Sequence, residues 1–184
     1  SQIDEVFQLI NIETENSIRL MVGFNRRFAP HIIKMKELLS SKSEPMTIIL
    51  TINAGAIPGD HWTQDNDVGG GRIIGEGCHF IDLARFLAGS PIKSHHSIMI
   101  GGTSGTGVRS DKVTITLSFD NGSFATIHYL AHGGKSFPKE RIEVFCENGV
   151  LQMDNYRMMT GFDWPGFKRM KLYKQDKGQA ACAK

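Results

Sequence analysis

Between Ile92 and Phe162 the chain is built from short runs that alternate apolar and polar residues two by two. "VTITLSF" (113–119) and "FATIHYL" (124–130) carry the pattern most clearly, and "IKSHHSIMIGG", "RIEVFCENGVLQMDN" and "YRMMTGF" continue it on either side. A period of two is a strand period, and each such strand buries one face and leaves the other for solvent or a partner. "DNGS" (120–123) and "ENGV" (147–150) punctuate the runs, and their Asn-Gly pairs read as the positive-φ residues of tight hairpin turns. Consecutive hairpins dictate antiparallel neighbours.

The first half has a different grammar. Ile3, Val6, Phe7, Leu9 and Ile10 fall near helical spacing in residues 3–15, an amphipathic helix. "SIRLMVGF" (17–24) reads as a buried strand and "NRRF" (25–28) as the loop after it. A helix then starts at Pro30, with Ile32, Ile33, Met35, Leu38 and Leu39 as its stripe. "MTIILTINAG" (46–55) is a strand by composition, and a long Gly/Pro/Asp-rich loop leads from it to a helix over roughly 73–88, stopped by Gly89 and Pro91. Met21, Met35, Phe80, Phe86 and Phe119 read as core. The expected class is α+β, with one large, predominantly antiparallel open sheet and helices packed on one face. Residues 1–174 form one unit in this reading, and 175–184, which lose the apolar period, form a tail.

Charge and cysteine usage narrow the function classes. The 21 basic and 19 acidic side chains nearly cancel, at net +2, so there is no electrostatic case for nucleic acid or an anionic membrane. No apolar run approaches the roughly 20 residues of a spanning helix, and no signal peptide is evident. The three cysteines, Cys78, Cys146 and Cys182, are widely spaced and odd in number, which points to a reducing cytoplasm. The chain opens inside a helix without an initiator Met, and the expectation is a piece of a longer protein.

Glycine clusters raise the question of a nucleotide. "GGTSGTG" (101–107) is followed by a strand rather than by the helix N-terminus a pyrophosphate needs, and it reads as a loop. "GGGRIIGEG" (69–77) opens a helix, but no strand precedes it and no Lys-Ser/Thr follows. The helix itself presents Glu76, His79 and Asp82 at i, i+3 and i+6, within one broad face. Three readings stand together here. A histidine flanked by carboxylates can shuttle protons near neutral pH. The same three residues could form a metal-ligand set, although one helix rarely aims three successive turns at one ion. Or the helix is simply a surface helix in which Asp82 pairs with Arg85 and His79 packs. His95 and His96 face opposite ways on a strand and read as exposed or edge residues. Of His128 and Tyr129, only one can face the helices. His61 and Trp62, in the long loop, read as a lid or interface.

Taken together, "VGFNRRFAP" (22–30), "GGGRIIGEGCHFIDLARFLAG" (69–89) and "IEVFCENGVLQMDN" (142–155) resemble the C-terminal domain of the glucose–fructose oxidoreductase / inositol dehydrogenase (Gfo/Idh/MocA) family. The resemblance covers nearly the whole chain in order. "TINAGAIPGDHWTQD" (51–65) and "QDKGQ" (175–179) further resemble a branch fused to an alcohol-dehydrogenase-like half. It implies a glyceraldehyde-3-phosphate-dehydrogenase-like C-terminal fold, preceded in the parent enzyme by a Rossmann domain that binds NAD or NADP. It implies a sugar or polyol substrate, a homodimer formed through the open sheet face, and no cofactor bound to this chain alone. His79 would exchange the substrate hydroxyl proton, with Glu76 as its orienting partner. Asp82, Asn53, Arg26 and Trp62 would lie near substrate, and no residue is assigned to cofactor or metal. Gly75 stands where many members carry an Asp, and the family's Glu-Lys-Pro lysine falls upstream of Ser1. Two other classes remain: a non-catalytic dimerisation or binding module, and a metal-dependent site on the 73–88 helix.

Overall fold

The alternating runs assemble into a single eight-stranded sheet in a computed structural model that describes residues 3–65, 68–100 and 111–184. The strands are β1 (Thr47–Asn53), β2 (Ile92–Met99), β3 (Lys112–Phe119), β4 (Phe124–Leu130), β5 (Glu140–Cys146), β6 (Gly149–Asp154), β7 (Met158–Phe162) and β8 (Arg169–Lys171). Their order across the sheet is β2-β3-β4-β1-β5-β6-β7-β8. Every pairing is antiparallel except β1 with β4, which lie side by side in parallel. The α+β class with a predominantly antiparallel open sheet is therefore observed.

Two helices, α2 (Pro30–Leu39) and α3 (Cys78–Ala88), cover one face of this sheet. Pro30 begins α2, where a missing N–H costs nothing. Gly89 closes α3 in the left-handed region at φ 66°, as the sequence anticipates. Ile32, Met35 and Leu39 of α2 and Phe80, Leu83, Ala84 and Leu87 of α3 meet the inward-facing Ile48, Leu50, Ile52, Leu117, Phe119, Ile127, Tyr129, Ile142 and Val144. Each such fully buried large side chain contributes about 1.5–3 kcal/mol. On the opposite face Phe124, Phe145 and Phe162 stand exposed.

Four expectations change. Residues 18–24 form no strand, and Met21 and Val22 are 64% and 63% exposed. A β-rich run pairs only if an edge reaches it, and no described strand does. The N-terminal helix α1 (Ile3–Asn16) forms as expected, but it buries none of its residues. In the "ENGV" turn the positive φ angles belong to Glu147 (47°) and Asn148 (64°), so the turn sits one residue earlier than the Asn-Gly pair predicts. Gly149 is the first strand residue instead, lying under Trp164, whose Cε3 would be 2.9 Å from an added Cβ. Residues 175–184, read as a tail, return to the body: Asn25 Nδ2 donates to the Lys177 carbonyl at 2.6 Å, and α4 (Gln179–Cys182) packs beside residues 25–28.

The "GGTSGTG" loop lies outside the described residues. Among the described residues, no helix is long and apolar enough to cross a membrane.

Candidate active site

The helix that carries His79 does not start as a regular α-helix. Residues Ile73–Gly77 form a π-helical turn that runs directly into α3. π-turns widen a helix by one residue and concentrate at functional sites. The turn places Glu76 where it faces the end of the parallel β1–β4 pair.

Glu76 meets three donors there. The Tyr129 hydroxyl donates to its Oε2, Arg72 Nη2 donates to the same oxygen at 3.1 Å, and Lys139 Nζ stands 3.7 Å from Oε1. Burial alone pushes this carboxyl upward, but Tyr129, Lys139 and Arg72 outweigh it and hold Glu76 below the ordinary carboxylate range. The Tyr129 phenol is correspondingly driven well above its usual value by burial and by the carboxylate it bonds. Glu76 is thus a fixed anion at neutral pH. The sequence reading made it the orienting partner of His79; its described hydrogen bonds go instead to Tyr129 and Arg72, and His79 Nδ1 is buried without a partner.

His79 sits one turn further on, half-buried, with the Phe24 ring perpendicular to it at 5.7 Å and 87°. Its pKa is pushed down, first by burial and then by the charge of Arg26, against upward pulls from Glu76, Asp82 and Glu140. The imidazole is therefore neutral at pH 7 and able to accept a proton.

The other sequence-predicted residues fall into separate places. Asp82 is buried and paired with Arg27, whose Nε donates to Oδ2 at 3.0 Å, so the surface pairing with Arg85 does not form. Arg26 is buried, gripped by Glu140 through bonds of 2.9 and 3.2 Å. Asn53 ends β1; its Nδ2 donates to Gly134 O at 2.8 Å and Phe137 O at 3.3 Å, while Oδ1 is buried without a partner. Trp62 is 62% exposed on a short 3₁₀ turn. It shares with Thr63, Arg72, Gly75 and Glu76 a cleft of about 200 Å³ beside the π-turn. Tyr129 turns out to be the member of the His128/Tyr129 pair that faces the helices, and His95 and His96 lie exposed on edge strand β2.

Glu76, His79 and Asp82 do not converge. One carboxylate is bound by Tyr129 and Arg72, the other by Arg27, and among the described residues no group of three or more His, Cys, Asp or Glu side chains is placed to hold an ion. A Cβ on Gly69 would lie 2.5 Å from the Trp62 carbonyl and 2.6 Å from Thr63 Cα, so the loop packs against its own chain at this point, and Gly70 and Gly71 beside it take left-handed φ angles of 69° and 79°. Sequence reasoning missed Tyr129, Arg72 and Lys139 as a set. Only the i,i+4 spacing of Arg72 and Glu76 was visible in advance.

Residues 33–152 match the family described as GFO/IDH/MocA C-terminal domain. The oxidoreductase YrbE of Bacillus subtilis, itself uncharacterised, is 26% identical over 163 residues, covering 86% of this chain and 47% of its own length. Inositol 2-dehydrogenase of Rhizobium meliloti is 26% identical over 163 residues, 85% of this chain and 48% of its own. The chain thus spans about half the length of the curated relatives it matches. Among solved structures, UDP-N-acetylglucosamine 3-dehydrogenase from Acidithiobacillus ferrooxidans superposes with a TM-score of 0.73 over 97% of this chain and 55% of its own, at 19% identity, a likeness of fold.

Proposed function

Because the chain belongs to the GFO/IDH/MocA family through its C-terminal domain, we propose that it is the substrate-binding and dimerisation half of an NAD(P)-dependent oxidoreductase acting on a hydroxyl or keto group of a sugar or polyol. The observation that carries the reading is His79, neutral by its surroundings and next to a carboxylate that cannot itself take the proton. The nicotinamide, held by a Rossmann domain in cis rather than by these residues, supplies the hydride acceptor. This chain handles the proton. His79 accepts it from the substrate hydroxyl as the carbonyl forms and returns it in the reverse direction. Glu76 stays charged and accepts hydrogen bonds from neighbouring substrate hydroxyls, and Lys139 offers a donor beside it. Trp62, over its cleft, provides an aromatic face for a sugar ring. In this reading Arg26, Asp82 and Asn53 support the site from behind, through the partners they already hold. The exposed α1 and residues 18–22 are the surface on which the cofactor half packs.

The test is made on the protein joined to its cofactor half. His79→Ala should lower kcat for the oxidised polyol by about 10²–10⁴-fold, the usual contribution of a positioned acid–base group. NADH affinity should be unchanged. Full activity in that variant would end the proposal, as would tight, saturable binding of NADH by residues 1–184 alone.

A further inference from the structure

Gly178 is buried, takes a left-handed φ of 81°, and leaves no room for a side chain: a Cβ would overlap the Asn25 carbonyl and lie 2.6 Å from both Ala29 N and Phe28 C. Next to it, the Lys177 carbonyl accepts from Asn25 Nδ2 at 2.6 Å, and the Lys177 ammonium reaches the buried Glu140 at 2.5 Å. Glu140 in turn grips Arg26, whose guanidinium lies 4.4 Å over the Phe80 ring. These contacts all fix the 25–28 turn. Phe24, the residue that enters this turn, packs perpendicular to the His79 ring.

We propose that Lys177 and Gly178 are positioning residues for His79: the C-terminal segment pins the 25–28 turn, and the turn sets the aromatic wall and the cationic neighbour that the imidazole meets. The placement stands on its own contacts, and only its catalytic meaning rests on the function proposed above. The charges acting on His79 come from Arg26 on the turn, Glu76 and Asp82 on the flanking helix, and Glu140 on β5. Lys177 offsets part of the Glu140 charge. Removing its ammonium exposes the imidazole to more of that negative charge, which favours the protonated ring.

The experiment is an NMR titration of the histidine rings in the whole chain, with His128 as the internal control, since it hydrogen-bonds Thr114 on β3. Lys177→Met should raise the His79 midpoint by about half a unit, the size of one partly screened charge. Lys177→Arg should restore it. Gly178→Ala should move the His79 ring resonances through the displaced Phe24 while His128 stays in place. If His79 is unmoved in folded Lys177→Met, the segment serves stability alone and the proposal falls. That variant decides the matter even where Gly178→Ala fails to fold. A responsive His79 alongside an active His79→Ala enzyme would keep this inference and discard the function; an unresponsive His79 alongside an inactive His79→Ala enzyme would do the reverse.

Discussion

Glu76 has the most definite chemical state of any residue near the site, and Tyr129 has much to do with it. The hydroxyl is buried on β4, reaches across to the π-turn, and has the Glu76 carboxylate as its described partner. Tyr129→Phe keeps the packing against Phe80 and deletes one donor. The Glu76 pKa should then rise from its depressed value, read by carbon NMR of the side-chain carboxyl. Stability should fall by about 1.5 kcal/mol, the low end for a bond to a charged group. The sign on pH follows from the direction of the shift. A carboxyl held low in the fold adds stability that is present above its unfolded pKa of about 4.3 and lost as pH falls through the folded value. The acid-side loss should therefore be shallower in Tyr129→Phe, and an unchanged Glu76 titration would refute the assignment. At this scale the sequence reveals His79, Glu76 and Asp82 by their helical spacing. It cannot reveal Tyr129, Lys139 or Glu140, because their partners are 53, 63 and 114 positions away and only the closed sheet brings them together.

Among elements, the strands with period two and the capped helices were legible, because their determinants are local: alternation, Pro30 at a helix start, Gly89 at a stop. What failed was whatever depends on a distant partner. Residues 18–24 have strand composition and no strand beside them among the described residues, while residues 175–184 lack an apolar period yet are pinned by Gly178 and Lys177. The β5–β6 hairpin shows the same division on a smaller scale. "ENGV" marks a turn correctly, but the glycine is needed one position on, beneath Trp164. Gly149→Ala would force a methyl to 2.9 Å from the indole Cε3. Overpacking of this kind costs about 1–3 kcal/mol. Urea unfolding should show that loss. Equal stability of Gly149→Ala and the parent chain would mean that Trp164 moves freely and that the glycine is dispensable.

For the whole molecule, the sheet's two faces set the question. One face is sealed by α2 and α3; on the other, register aligns Phe124, Thr47, Phe145, Val150 and Phe162 in a row across five adjacent strands. Phe124, Phe145 and Phe162 are 45%, 41% and 49% exposed, an unusual concentration of aromatic surface on a row of strands that also carries Thr47, Thr126 and Thr160. Two such faces can meet about a two-fold axis, each row lying against the other's, in the face-to-face packing that open sheets adopt. This is the surface through which the proposed dimer would form. Phe145→Glu places a charge in the middle of the row. Because Phe145 is already partly exposed, the monomer's own stability should change by no more than about 0.5 kcal/mol. Sedimentation velocity should then show a dimer for the parent chain and a monomer for Phe145→Glu at equal concentration, with unchanged circular dichroism. Substitution at Glu147, which lies on the turn beyond the row and bonds Lys42, should leave the dimer intact. A parent chain that sediments as a monomer at every concentration, or a Phe145→Glu chain that remains a dimer, would show that the aromatic row meets some other surface.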